Sequence, residues 1–199
     1  GTLRDWLGIN PRTEQEYLPQ AYKSPAFKET GVRTYQVQDV LCDVDLFRRL
    51  RTRGQARGAD GLDDLKTAMS LVDGVPFSNL RDKGWSWLLD TERLHETVGH
   101  TIVDTAHIIV VHAMAKGDLA LARQAAETAC TAAPYDDICR LDLVKLAAAE
   151  GHGEAADQLL NVNVFNRTDD YLPPIDLPER TANVVGKEDW GDRNRRPSS

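Results

Sequence analysis

No run of apolar residues in this sequence comes near the ~18–20 that a membrane-crossing helix needs. The longest, Ile108 to Val111, reads as one buried turn of a helix, and no membrane contact is expected. Cysteine is scarce. Cys42, Cys130 and Cys139 are unevenly spaced and form no CxxC pair, so neither a zinc site nor a disulfide framework is expected, and buried free thiols are. Basic charge is in the minority, with 24 Lys and Arg against 31 Asp and Glu and a formal net charge of −7. Such a chain as a whole is repelled by a phosphate backbone, which leaves only a local basic patch for any DNA contact. There is no GxSxG, no phosphate-binding loop and no GxGxxG. No signal-peptide pattern opens the chain, which begins Gly1-Thr2 rather than with Met, so a piece of a longer protein is expected. The expected location is cytoplasmic, with a membrane-linked parent left open.

What is present is an ordinary globular composition, 41% hydrophobic and 28% charged over 199 residues. The stretch Gly117 to Pro134 organises it. Gly117 supplies a permissive turn and Asp118 an N-cap. Ala122, Ala125, Ala126 and Ala129 share one helical face that lets another helix approach closely, and Pro134 ends the helix. The pattern recurs 34 residues on, with Gly151 for Gly117 and Ala156 for Ala122, although Thr168 stands where the proline would recur. That period, with a helix on each side of the glycine, is the spacing of a tetratricopeptide repeat. Two unrelated alanine-rich hairpins are the plainer alternative.

The expected fold is mainly α, a tetratricopeptide-like array of helical hairpins with a small N-terminal β-hairpin. Residues 1–41 read as a partial winged-helix remnant. Leu3 to Leu7 would be the end of a helix stopped at Gly8. Glu16 to Leu18 and Val32 to Val40 would be strands of a wing carrying Arg12, Lys23, Lys28 and Arg33. Residues 42–165 read as helical. Asp43 caps a helix to about Arg57, in which Val44, Phe47 and Leu50 face inward and Arg48, Arg49, Arg51, Arg53 and Arg57 crowd the remaining surface. Leu62 to Val72 is its partner. A long helical pattern runs from Gly84 to Ala115, with Trp85 and Trp87 as packing anchors, and two hairpins follow to Phe165. Residues 166–199 form a Pro-rich, charged tail, extended over 169–178 and expected to be partly disordered.

His95, His100, His107 and His112 suggest a metal at first sight. His95 and His100 are five apart, which rotates them by about 140° on a helix, and His100 and His107 are separated by about 10 Å of rise. Neither pair can share one ion. The adjacent carboxylates Asp63-Asp64, Asp136-Asp137 and Asp169-Asp170 diverge on a helix and suit capping better than acid–base work. No catalytic constellation is found, no cofactor is expected, and the chain is read as not an enzyme.

One order of features carries a resemblance. Asp43-Val44-Asp45-Leu46-Phe47 follows the wing strand, then come the arginine-rich helix, Gly74-Val75-Pro76-Phe77, Trp85 and the Gly117–Pro134 repeat. Over about residues 32–165 this resembles the bacterial transcriptional activator domain of antibiotic-regulatory-protein-type regulators from actinobacteria. The resemblance implies a non-enzymatic tetratricopeptide-like module for dimerisation, regulation and contacts that help recruit polymerase. Its partner is then a protein or a second copy of itself. The first helix of each hairpin would line a groove, at Asp104, His107, Val111 and Met114 and at Ile138, Leu141, Lys145 and Ala148. The tail is an alternative occupant of that groove. Arg12, Arg33, Arg48, Arg49, Arg51 and Arg53 are the candidate DNA or polymerase contacts, and direct DNA binding through them is the alternative function. The helices that would position a recognition helix are absent from the sequence, so only weak duplex binding is expected.

Overall fold

The computed structural model describes residues 2–80, 83 and 93–162. Among them are eight α-helices and no strand. The chain divides into two compact units, residues 1–46 and 47–199.

In the first unit, α1 (Leu3–Leu7) opens on a reciprocal capping box. The Thr2 hydroxyl accepts from the Asp5 N–H, and the Asp5 carboxylate accepts from the Thr2 N–H at 2.8 Å. Gly8, at φ +70°, closes it by donating to the Arg4 carbonyl. A 3-10 turn (Ala21–Lys23) leads into α2 (Pro25–Thr30). The Ser24 hydroxyl accepts from the Phe27 N–H, Pro25 occupies the first turn, and Gly31 ends the helix in the left-handed region. The expected β-hairpin is not formed among these residues. The only bridge is Ile9 with Glu16, and the later segment contributes one backbone bond, from the Gln38 N–H to the Tyr17 carbonyl at 2.8 Å. Val32, Tyr35, Val37 and Val40 all stay exposed. Their alternation therefore has no buried face to fix a pairing register. Arg4 Nε–H donating to the Leu18 carbonyl and Asn10 Nδ2 donating to Asp39 tie this unit together instead.

The helix α3 (Asp43–Ala56) starts where the first unit ends. In the second unit it buries Phe47 and Leu50, a 3-10 turn (Gly58–Gly61) reverses the chain, and α4 (Leu62–Met69) buries Leu65, Ala68 and Met69. The backbones meet at two glycines. A Cβ on Gly61 would lie 1.9 Å from the Gly54 carbonyl oxygen, so neither position has room for a side chain. The core is organised by α5 (Leu94–Ala115), whose buried residues include Ile102, Val103, Ala106, Ile109, Val110 and Ala113. By length and composition α5 could cross a membrane, but half of its apolar window is buried inside the protein. It packs on α4, α6 (Leu119–Ala132) and α7 (Asp137–Ala149), and α7 packs in turn on α6 and α8 (Gly153–Leu160).

The Asp118 carboxylate caps α6 by accepting from Leu121 N–H at 3.1 Å. Ala122, Ala125, Ala126, Ala129 and Ala132 form its buried face. The turn between α5 and α6 recurs between α7 and α8 in its left-handed glycine and three backbone bonds. Gly117 and Gly151 have φ of +76° and +85°. The N–H of Asp118 donates to Ala113, and that of His152 to Ala147, both at 2.9 Å. The N–H of Gly117 donates to Met114 and that of Gly151 to Ala148. The N–H of Ala122 donates to Asp118 and that of Ala156 to His152. Each partner in the second turn lies 34 residues beyond its counterpart. The tryptophan-bearing start of the long helical pattern, the expected end of the two hairpins at Phe165 and the tail 166–199 lie outside the described residues.

Candidate interaction surface

The groove positions expected on α5 and α7 divide sharply. On α5, Val111 is 53% exposed, while Asp104, His107 and Met114 are half-buried. On α7, Ile138 and Leu141 belong to the core instead, Leu141 with no exposed surface at all. The cause is that α7 has α5, α6 and α8 around it, so positions on nearly every side are covered. Lys145 is half-buried and Ala148 exposed. On α5 the large apolar side chains left to solvent are Ile108 and Val111, which are three apart and share a face.

Beside that strip is a contact the sequence reading missed. His107 Nδ1–H donates to both carboxylate oxygens of Asp142, each at 2.9 Å. The Asp142 side chain is 2% exposed and that of His107 32%. The carboxylate fixes the imidazole tautomer and leaves Nε2 as the acceptor nitrogen of the neutral ring. Half of a catalytic triad looks like this. Among the described residues, however, no serine, threonine or cysteine is hydrogen-bonded to His107. The pair cross-links the first helices of the two hairpins.

A second cross-link joins α6 to the turn that follows α7. Arg123 on α6 reaches Glu150, after α7, through Nε–H and Nη2–H, the latter at 2.5 Å. This fork holds the Glu150 carboxyl below the usual carboxylate range and raises the guanidinium further.

A cavity of about 950 Å³ lies between the first turns of α5 and the α6–α7 turn. His95 and His100 both line it, with Glu96, Tyr135 and the wall Ala132–Pro134. Among the described residues no three His, Cys, Asp or Glu side chains are gathered to hold a metal ion.

The arginines are not one patch. Arg53 donates through Nε–H to Asp64 at 2.8 Å and Arg57 reaches the same carboxylate at 3.3 Å. The Arg53 bond, then its charge and that of Arg57, keep the Asp64 pKa below its ordinary value despite burial. Arg48 and Arg49 are exposed and Arg51 is half-buried. Arg12 and Arg33 are exposed in the first unit. No protein-family model, curated protein or solved structure matches this chain.

Proposed function

We propose that residues 47–162 act as a non-enzymatic interaction module, tetratricopeptide-like in plan, within a bacterial transcriptional regulator. Its partner is a protein helix or a second copy of the chain, and it docks on the α5 strip at Ile108 and Val111. The observation that carries this reading is the turn repeated at 34 residues, with the same three backbone bonds and the same left-handed glycine. Helical hairpins stacked at that period bury one face and present the other to a ligand. An apolar strip three residues apart, flanked by half-buried ionisable groups, suits an amphipathic helix better than a phosphate backbone.

Direct DNA binding is the weaker reading. Of the candidate arginines, Arg53 is engaged by Asp64, and the net charge is −7. Fusing the chain to a DNA-binding domain of known operator and measuring reporter transcription in a bacterium tests the proposal. Raised transcription that depends on Val111 supports it. Transcription at the level of the DNA-binding domain alone, from a stably expressed fusion, argues against it.

A further inference from the structure

The cavity of about 950 Å³ between the first turns of α5 and the α6–α7 turn has the size that small-molecule sites take. Two features of its lining point to a ligand. The first is Nδ1 of His95. That atom is buried and has no hydrogen-bond partner, which a folded protein ordinarily avoids. On the same ring Nε2 lies 3.8 Å from the Glu96 carboxylate. The carboxylate favours the proton on Nε2 and leaves Nδ1 an acceptor in want of a donor. The second feature is Gly99, one turn along the same face of α5 and also in the lining. Glycine inside a helix is less favourable than alanine. Packing does not demand it here, since a Cβ on Gly99 would meet only the Ala133 methyl group, at an ordinary 3.9 Å. The glycine keeps open a space that the fold had room to fill.

The charges around that space have one sign. Glu96, Asp136 and Asp137 line it, and among the described residues no lysine or arginine does. Arg93, paired with Glu96 at 2.9 Å, and Arg140, bonded to the Pro134 carbonyl, are not part of the lining. The Asp136 carboxylate accepts from the Ile138 N–H at 2.9 Å, and Asp137 is only 9% exposed. A carboxylate withdrawn from water acts strongly on a nearby charge. Val75, Pro76 and Ile138 supply apolar wall, and the largely exposed Tyr135 ring adds an aromatic face.

We propose that this cavity binds a small organic amine in its protonated form, one that carries an aromatic or alkyl body. The ammonium N–H donates to His95 Nδ1, and its charge is balanced by the carboxylates. The body packs on the apolar wall beside Gly99, with Tyr135 offering a cation–π face. An anion is repelled by the three carboxylates, and a neutral alcohol brings the donor without the charge. The cavity shares no residue with the Ile108–Val111 strip, so the proposal stands apart from the docking surface on α5.

Titration calorimetry of the full chain with tryptamine, tryptophol and indoleacetate tests it, because the three share one ring system and differ in charge. Tryptamine should bind at one site, at least about tenfold more tightly than either of the others, as a hydrogen bond from a charged donor implies. His95→Leu, which removes the acceptor, should weaken tryptamine by about tenfold, and Gly99→Leu, which fills the space, should abolish its binding. Val111→Glu should leave it unchanged. Should either cavity variant fail to fold, as read by circular dichroism, Tyr135→Ala at an exposed side chain should weaken tryptamine by about threefold. No saturable heat with tryptamine up to about 5 mM, equal binding of tryptophol or indoleacetate, full binding in a folded His95→Leu or Gly99→Leu protein, or loss of binding in Val111→Glu would each overturn the proposal.

Discussion

His107 on α5 and Asp142 on α7 form a hydrogen-bonded pair at 2.9 Å across the two hairpins, with the carboxylate buried and the imidazole a third exposed. A buried carboxylate that loses such a donor keeps most of its desolvation cost. His107→Ala should therefore destabilise the fold by about 1–3 kcal/mol, below the figure for a fully buried ion pair because the ring is partly solvated. Urea unfolding followed by circular dichroism measures it. A midpoint equal to that of the parent protein would mean that the pair contributes nothing to the fold.

Ala129 has no exposed surface and sits in the alanine face of α6. A leucine there adds volume where two helix backbones approach closely. Ala129→Leu should cost roughly 1–3 kcal/mol and lower the melting temperature, whereas Thr131→Leu, two residues along at an exposed position on the other side of the helix, should leave it nearly unchanged.

The α3–α4 hairpin depends on Gly54 and Gly61. With the Gly54 carbonyl oxygen 1.9 Å from where a Cβ on Gly61 would sit, the backbones must separate to admit even one methyl group. Gly61→Ala should destabilise by about 3 kcal/mol, although alanine is ordinarily the better residue in a helical turn. A stabilised Gly61→Ala protein would mean that the two backbones are further apart than described.

How much of this was legible beforehand varies from element to element. Gly117, Asp118, the alanine face and Pro134 carry local signals, a turn, a cap, a period and a breaker, and α6 forms where those signals place it. The α2 helix carries good end signals too, Ser24, Pro25 and Gly31, but it buries no residue, so no apolar period marks its middle. The alternation in Val32 to Val40 suggests a wing strand, yet strand pairing is a tertiary property and the segment makes one backbone–backbone bond. The burial of Ile138 and Leu141 was hidden because α7 is covered on nearly every side, which erases the amphipathic stripe. The His107–Asp142 pair spans 35 residues. Only the offset of one residue from the 34-residue period hints that the two would meet.

Acid should weaken the second unit through Asp64 and Glu150. Both carboxyls have pKa values lowered in the folded state, Asp64 chiefly by its bond from Arg53 and Glu150 by that from Arg123. A lowered folded pKa means that the unfolded chain binds protons first as pH falls. The stabilisation is thus complete above the ordinary carboxylate range near pH 4 and is lost as pH drops through the lower folded values. Replacing both partners, with Asp64→Asn and Glu150→Gln, should flatten the pH dependence of the melting temperature below about pH 4. An unaltered slope in the double variant would assign acid sensitivity to other groups.

The central claim, that the α5 strip recruits a protein, is tested most directly by the reporter fusion carrying Val111→Glu beside one carrying Arg48→Glu and Arg49→Glu. Val111 is exposed, so its replacement should leave the unfolding free energy within about 0.5 kcal/mol of the parent's. The account predicts that Val111→Glu returns transcription to the level of the DNA-binding domain alone, while the double arginine variant keeps most of the parent's activity. Full activity in Val111→Glu together with its loss in the arginine variant would contradict the account and place the working surface on α3.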